Sequence, residues 1–225
     1  MYVYTDFPFG PPIDASDMDQ AIQWWGPPDT SWVRANIVTD ALGNSIDATG
    51  TSSGLTGGAD RALLKALRES ADVVVIGGAT VRAEPQSIPR TRPVVVVSRT
   101  ADVPPEAVAR AAAGMTVLHN RSATPPTGAT GLVLPRFTGT SIVAALHKLG
   151  HRRIVVEGGA TLLRTMLESG SISEWCQTLS PHTVGNDSPA GNVDVSGVVT
   201  LTAHDSAGFR YTRKTLNGAP VSSVD

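Results

Sequence analysis

Two stretches of the chain end in the same four residues. Val74-Val75-Ile76 runs into Gly77-Gly78-Ala79-Thr80, and Val155-Val156-Glu157 runs into Gly158-Gly159-Ala160-Thr161. Helical spacing follows each tetrad, so each reads as a strand, a glycine turn and a helix start. Such a turn aims unpaired backbone N–H groups at one point beside the positive end of a helix dipole, which suits an anion. Glycine at both positions lets a ligand approach the main chain without meeting a Cβ. Thr80 and Thr161 add hydroxyl donors. A Gly-Gly pair after a strand also serves plain chain reversal. Two copies with the same sequel favour a phosphorylated nucleotide, its diphosphate held from both sides.

Other residues join them. Ser98 and Arg99 follow the Val94–Val97 run at the expected carboxyl end of a strand, where open α/β sheets bind ligands. A hydroxyl and a guanidinium there suit a ribose 2′-phosphate, and so NADPH over NADH; an exposed Arg in a turn is the competing reading. Glu157, between an apolar run and a glycine turn, needs a hydrogen-bonding partner, a ligand among them. Arg68, in the last turn of a predicted helix, can pair with Asp72, complement the helix dipole or bind a substrate phosphate.

Several chemistries lack their residues. No Gly-x-Gly-x-x-Gly follows the first strand, no Walker lysine follows either tetrad, and Gly-x-Ser-x-Gly is missing. His147 and His151 have i, i+4 spacing, but Gly150 interrupts the helix, which favours a solvated helix end over a metal site. Cys176 is the single cysteine, so an intrachain disulfide and a cysteine-based zinc site are excluded.

The elements that must hold these residues alternate. Strands are expected over 33–38, 72–76, 93–97, 115–118, 131–134, 152–157 and 173–179, with two or more within 198–215. Helices are expected over 59–69, 106–113 and 141–149, with further helix starts after each tetrad; Gly150 and Gly170 close two of them. Alternation argues for α/β layers on a mainly parallel sheet, and the helix-free tail for antiparallel closing strands. Residues 1–31, rich in Pro, Asp and Trp, read as an arm with a short helix over 14–25, and residues 32–225 as one domain.

Formal net charge is -2 over 225 residues, and the basic side chains are scattered, so neither a nucleic acid nor a membrane surface is an expected partner. No run approaches the ~20 apolar residues of a membrane span, and residues 1–30 lack a signal-peptide pattern. A cytoplasmic protein is expected, which the lone thiol fits.

Val33-Arg-Ala-Asn-Ile37, Ser52-Ser-Gly-Leu-Thr56, the stretch Ala71 to Glu84, Val156 to Leu163, Ser173-Glu-Trp175 and Ser180-Pro181 together resemble the riboflavin-biosynthesis pyrimidine reductases. The resemblance spans about residues 32–215. It implies a dihydrofolate-reductase-like three-layer α/β sandwich and an NADPH-dependent reduction of a ribosylamino-pyrimidine 5′-phosphate to its ribitylamino form, in a homodimer. On the family's pattern, Thr39, Thr80, Glu84, Ser98, Gly159, Ala160, Thr161 and Leu162 are the expected cofactor contacts, to which the turns and the strand end add Gly77, Gly78, Arg99 and Gly158. Ser52, Arg68 and Glu157 are the expected substrate contacts, with Glu157 also the expected catalytic group. The family's deaminase half is absent, since one cysteine cannot build its zinc site. The family's Ser-x-Asp-Gly is replaced by Asp40-Ala-Leu-Gly43, so Leu42 stands where a carboxylate belongs and Asp40 is the nearest substitute. That departure keeps two alternatives open: a different, pteridine-like or natural-product substrate, or nucleotide binding without catalysis.

Overall fold

Short apolar runs with side chains alternating between two faces need cover on both sides, and the structure supplies it. In the computed structural model, residues 2–4, 13–14, 31–184 and 195–216 are described. Eleven strands form one sheet: β1 (Tyr2–Tyr4), β2 (Ile13–Asp14), β3 (Trp32–Thr39), β4 (Val73–Gly77), β5 (Val94–Val97), β6 (Met115–His119), β7 (Thr130–Val133), β8 (Arg153–Val156), β9 (Glu174–Leu179), β10 (Val198–His204) and β11 (Arg210–Thr215). Their order is β2-β1-β10-β11-β9-β3-β8-β4-β5-β6-β7. From β9 to β7 every pairing is parallel, whereas β11 on β9, β10 on β11, β1 on β10 and β2 on β1 are antiparallel. The mainly parallel sheet with antiparallel C-terminal strands is therefore as expected.

Helices cover both faces. Along β4, Val73 and Val75 pack with Ile142, Leu146, Leu163 and Met166, from α4 (Gly139–Lys148) and α5 (Ala160–Glu168). Val74 and Ile76 point the other way, into a cluster with Val81 of α2 (Gly78–Ala83) and Ala107 of α3 (Pro105–Arg110). On that same side α1 (Asp60–Ser70) lays Leu63 and Leu67 against Cys176, Leu201, Ala203 and Tyr211 of the antiparallel strands. Burial pushes the Cys176 thiol up to about 12, so this cysteine is a core residue rather than a reactive one.

Two features differ from expectation. α3 ends at Arg110, short of the predicted 113, because Gly114 (φ +101) turns the chain into β6. The arm contributes β1 and β2, which extend the sheet beyond β10. The helix expected over 14–25 has its first residue in β2 and otherwise lies outside the described residues.

The start of α1 is held by a residue 146 positions away. The Asp205 carboxylate accepts from the Ala59, Ala207 and Phe209 amides and from the Tyr211 hydroxyl. Burial raises this carboxyl, but those four donors outweigh it and hold it below its ordinary 3.8. A depressed folded value means the contribution is complete above 3.8 and disappears as pH falls through the folded value. Asp205→Ala, which strands these donors, is expected to lower unfolding free energy by about 3 kcal/mol at neutral pH. Urea denaturation should show it, and the gap from the wild type should narrow in acid.

Candidate functional site

Parallel register brings the two tetrads together. β8 pairs β4 with Val74 opposite Val155 and Val75 opposite Val156, so the same offset sets Gly77 beside Gly158. The Gly77 amide donates to the Gly158 carbonyl at 2.7 Å. A Cβ on Gly77 would lie 3.0 Å from the Gly159 nitrogen and 3.3 Å from the Gly158 oxygen, both backbone atoms. One on Gly159 would lie 2.9 Å from the Thr80 hydroxyl, and one on Gly78 would lie 2.8 Å from Ser98 Cβ. Gly158 has φ +92, a conformation that favours glycine. The elbows thus form one continuous backbone surface, flanked by Thr80 and Ser98.

Two cavities open on this surface. The first, about 630 Å³, lies between the C-terminal half of β3 (Asn36, Ile37, Val38), the α1 face carrying Asp60, Leu64 and Arg68, and the segment Glu84–Ile88. The second, about 740 Å³, lies over Gly77, Gly78, Ser98, Arg99 and the start of α5. They share a wall made of Ser45, Ile46, Thr80, Glu84, Gly159 and Ala160.

The expected contacts sort between the two chambers. Gly77, Gly78, Thr80, Glu84, Ser98, Arg99, Gly159, Ala160, Thr161 and Leu162 line the second. Ser52, Arg68, Glu157 and Gly158 line the first. Thr39 lines neither: its hydroxyl accepts from Gln177 Nε2 at 2.9 Å, and its residue is buried.

Arg68 and Glu157 find each other. Arg68 Nε donates to Glu157 Oε1 at 2.7 Å and Nη2 to Oε2 at 2.6 Å, while Nη2 also reaches the Ser87 carbonyl at 3.1 Å. Burial works against the Arg68 charge, but Glu157 overcomes it and raises the guanidinium pKa. Asp72, the sequence candidate for Arg68's partner, instead takes Arg153 Nε and Nη2. Glu84 is also committed: its carboxylate accepts from the Ser52 amide at 2.5 Å and from the Ser87 hydroxyl at 3.1 Å. It thereby ties the 43–58 loop to the segment after α2.

Asp40 does not replace the missing carboxylate. Its oxygens accept from the Leu42, Asn44 and Val184 amides and from Asn44 Nδ2. Burial raises the carboxyl, and Asn44, Val184 and Leu42 more than compensate, leaving it below its ordinary value. Leu42 itself is 64% exposed, and neither residue lines a cavity.

Residues without a sequence signal complete the walls. Ser45 and Ile46 reach both cavities, Arg61 and Arg110 line the first, and Arg82 lines the second with its Nη1 on the Asp102 carbonyl. The 43–58 loop has no hydrophobic period to place it, and Arg110 comes from a helix two elements away.

A mixed α/β sheet with a cavity on each side of a glycine seam has the dihydrofolate-reductase-like fold. Dihydrofolate reductase from Enterococcus faecalis, solved with NADP(H), superposes with a TM-score of 0.55 at 15% identity over 83% of this chain and 97% of that one. The chain belongs to the RibD C-terminal domain family, whose model matches residues 31–210, and is an oxidoreductase. A pyrimidine reductase-like protein of Corynebacterium diphtheriae shares 19% identity and a TM-score of 0.70, over 84% of this chain and 92% of that one. The Thermotoga maritima diaminohydroxyphosphoribosylaminopyrimidine deaminase/5-amino-6-(5-phosphoribosylamino)uracil reductase gives 16% and 0.68, over 83% of this chain but 57% of its own length. Among curated proteins none matches the chain.

The seam has a direct test. Gly77→Ala sets a methyl against backbone that cannot rotate away, and is expected to cost about 1–3 kcal/mol of stability. Thermal and urea melts should show the loss, and an unchanged midpoint would mean that the elbows are not packed as described.

Proposed function

We propose that this chain is an NADPH-dependent reductase that converts a ribosylamino-pyrimidine 5′-phosphate to its ribitylamino form. The shared wall carries this reading, because a cofactor in one chamber and a substrate in the other would meet across it, at Ser45, Ile46, Thr80, Glu84, Gly159 and Ala160. The fit to a dinucleotide is supported by the cradle itself, which side chains at Gly78 or Gly159 would fill. Gly78, Thr80, Gly159, Ala160 and Thr161 would hold the diphosphate, and Ser98 and Arg99 the 2′-phosphate. When bound, NADPH supplies the hydride.

The chain's own residues position and enclose. Arg68 meets the substrate phosphate through Nη1, which makes no hydrogen bond to the described residues. Glu157 spends both oxygens on orienting that guanidinium, so it acts as a positioning residue. Glu84 keeps Ser52 at the mouth of the first chamber, where the loop excludes water. The exposed Leu42 favours a second reading, the same fold and cofactor with another heterocyclic substrate.

Calorimetric titration tests the cofactor side. Gly159→Asp should abolish NADPH binding by placing a carboxylate against the diphosphate, and near-normal affinity would defeat the proposal. Arg99→Ala should weaken NADPH by roughly tenfold while leaving NADH little changed; equal losses would remove Arg99 from the 2′-phosphate. A single-turnover substrate panel, pyrimidine against pteridine, separates the two readings.

A further inference from the structure

The α1 face in the first chamber carries opposite charges at its two ends. Asp60 opens the helix, Leu64 lies one turn on and Arg68 two turns on, and all three line the cavity. Eight residues at 1.5 Å rise separate the first and last backbone positions by ~12 Å. The Arg68 end brings two guanidiniums against one carboxylate: Arg68, paired with Glu157, and Arg110 line the same chamber, and the two arginines hold the successive carbonyls of Ser87 and Ile88. The Asp60 end is acidic and dry, with the residue only 5% exposed.

Asp60 lacks the arrangement that explains the other buried aspartates. Asp40 and Asp205 each gather several backbone amides. Asp60 receives the Thr178 hydroxyl and forms no ion pair with the described residues. Burial, reinforced by Asp205, pushes its carboxyl upward against Thr178 and Arg61. A helix start needs no buried carboxyl, because an exposed one serves the dipole as well. The cavity wall is where an acceptor of this kind finds a use, and Asn36, Thr56 and Arg61 line the same cavity.

We infer that Asp60 reads the heterocycle of the substrate, accepting hydrogen bonds from ring N–H or exocyclic amino groups while Arg68 and Arg110 hold the phosphate at the opposite end. The inference rests on the reductase reading of the site and adds the residue that selects the base. A phosphorylated sugar bearing a donor-rich ring matches the polarity of the chamber; a ring without donors leaves a desolvated carboxyl with the Thr178 hydroxyl alone, which sites of this kind reject strongly.

The test titrates the full-length wild type and Asp60→Asn with three probes: the ribitylamino-pyrimidine phosphate, ribose 5-phosphate and NADPH. Asp60→Asn should weaken the pyrimidine ligand by roughly tenfold or more and leave ribose 5-phosphate and NADPH within about twofold. No loss, or equal losses for the pyrimidine ligand and ribose 5-phosphate, overturns the role of Asp60 while leaving the reductase reading intact. Wild type that binds NADPH but not the pyrimidine ligand defeats the substrate reading and this inference with it. Should Asp60→Asn fail to fold, wild type is titrated with pyrimidine ligands methylated at each ring nitrogen in turn and at the exocyclic amine. Weakening of at least one by about tenfold supports the inference, and equal binding of all overturns it.

Discussion

Everything at the site hangs on the contact between two backbones that carry no side chains. The Gly77 amide meets the Gly158 carbonyl, and the space beside Gly77 is already taken by the Gly159 nitrogen. A Cβ on Gly77 would meet the second elbow's backbone, and one on Gly159 the Thr80 hydroxyl. The parallel register supplies the alignment: strands that pair Val74 with Val155 deliver the two tetrads at the same depth, so the repeat in sequence becomes a juxtaposition in space. The valine runs are therefore part of the site. Their alternation buries Val73 and Val75 under α4 and α5 and Val74 under the opposite layer, which prevents a one-residue slip.

The same alternation explains the ion pair. Val155 and Glu157 point to the α1 side of β8, so continuing the apolar pattern would put another hydrophobic residue at 157. A carboxylate there is tolerated because Arg68 meets it with two parallel hydrogen bonds. Such a pair is weak evidence of stability, since well-packed apolar residues would serve the core equally well. Its location is what matters: it sits where the sheet ends and the chamber begins, presenting a held guanidinium to the cavity. Arg68 is thus oriented by the residue immediately before the second elbow.

The fold was largely legible because its signals are local. Val73 to Ile76 and Val94 to Val97 can only be buried strands, and Gly150 and Gly170, both with positive φ, close helices where expected. Motif position named residues that line the two cavities, but Gly158, expected on the cofactor side, lines the first cavity, Thr39 lines neither, and the pairings did not follow from motif position. Asp72 is nearer in sequence to Arg68 than Glu157 is, yet β8 brings Arg153 to Asp72 and leaves Arg68 for Glu157. Thr39 has the residue type of a ligand contact, and the parallel neighbour β9 claims its hydroxyl through Gln177. Asp60 carried no signal at all, because an acidic residue opening a helix is what the dipole alone would select. Only the burial of α1 against β9 gives that carboxyl a different meaning.

The Leu42 departure is settled in one direction by geometry. The turn after β3 is organised by Asp40, whose two oxygens are spent on amides of the turn and on Val184, so the turn is built without offering a carboxylate to either chamber. The acidic groups that do reach the chambers are Asp60, Glu84 and Glu157, and each arrives from a different element. Glu84 is the one among them on the shared wall, and its oxygens are held by Ser52 and Ser87. A carboxylate so held ties the 43–58 loop to the segment after α2. On the proposed reading, hydride delivery across that wall would depend on placement, and selectivity on the two ends of α1: a cation to fix one end of the substrate and a buried carboxyl to be matched at the other.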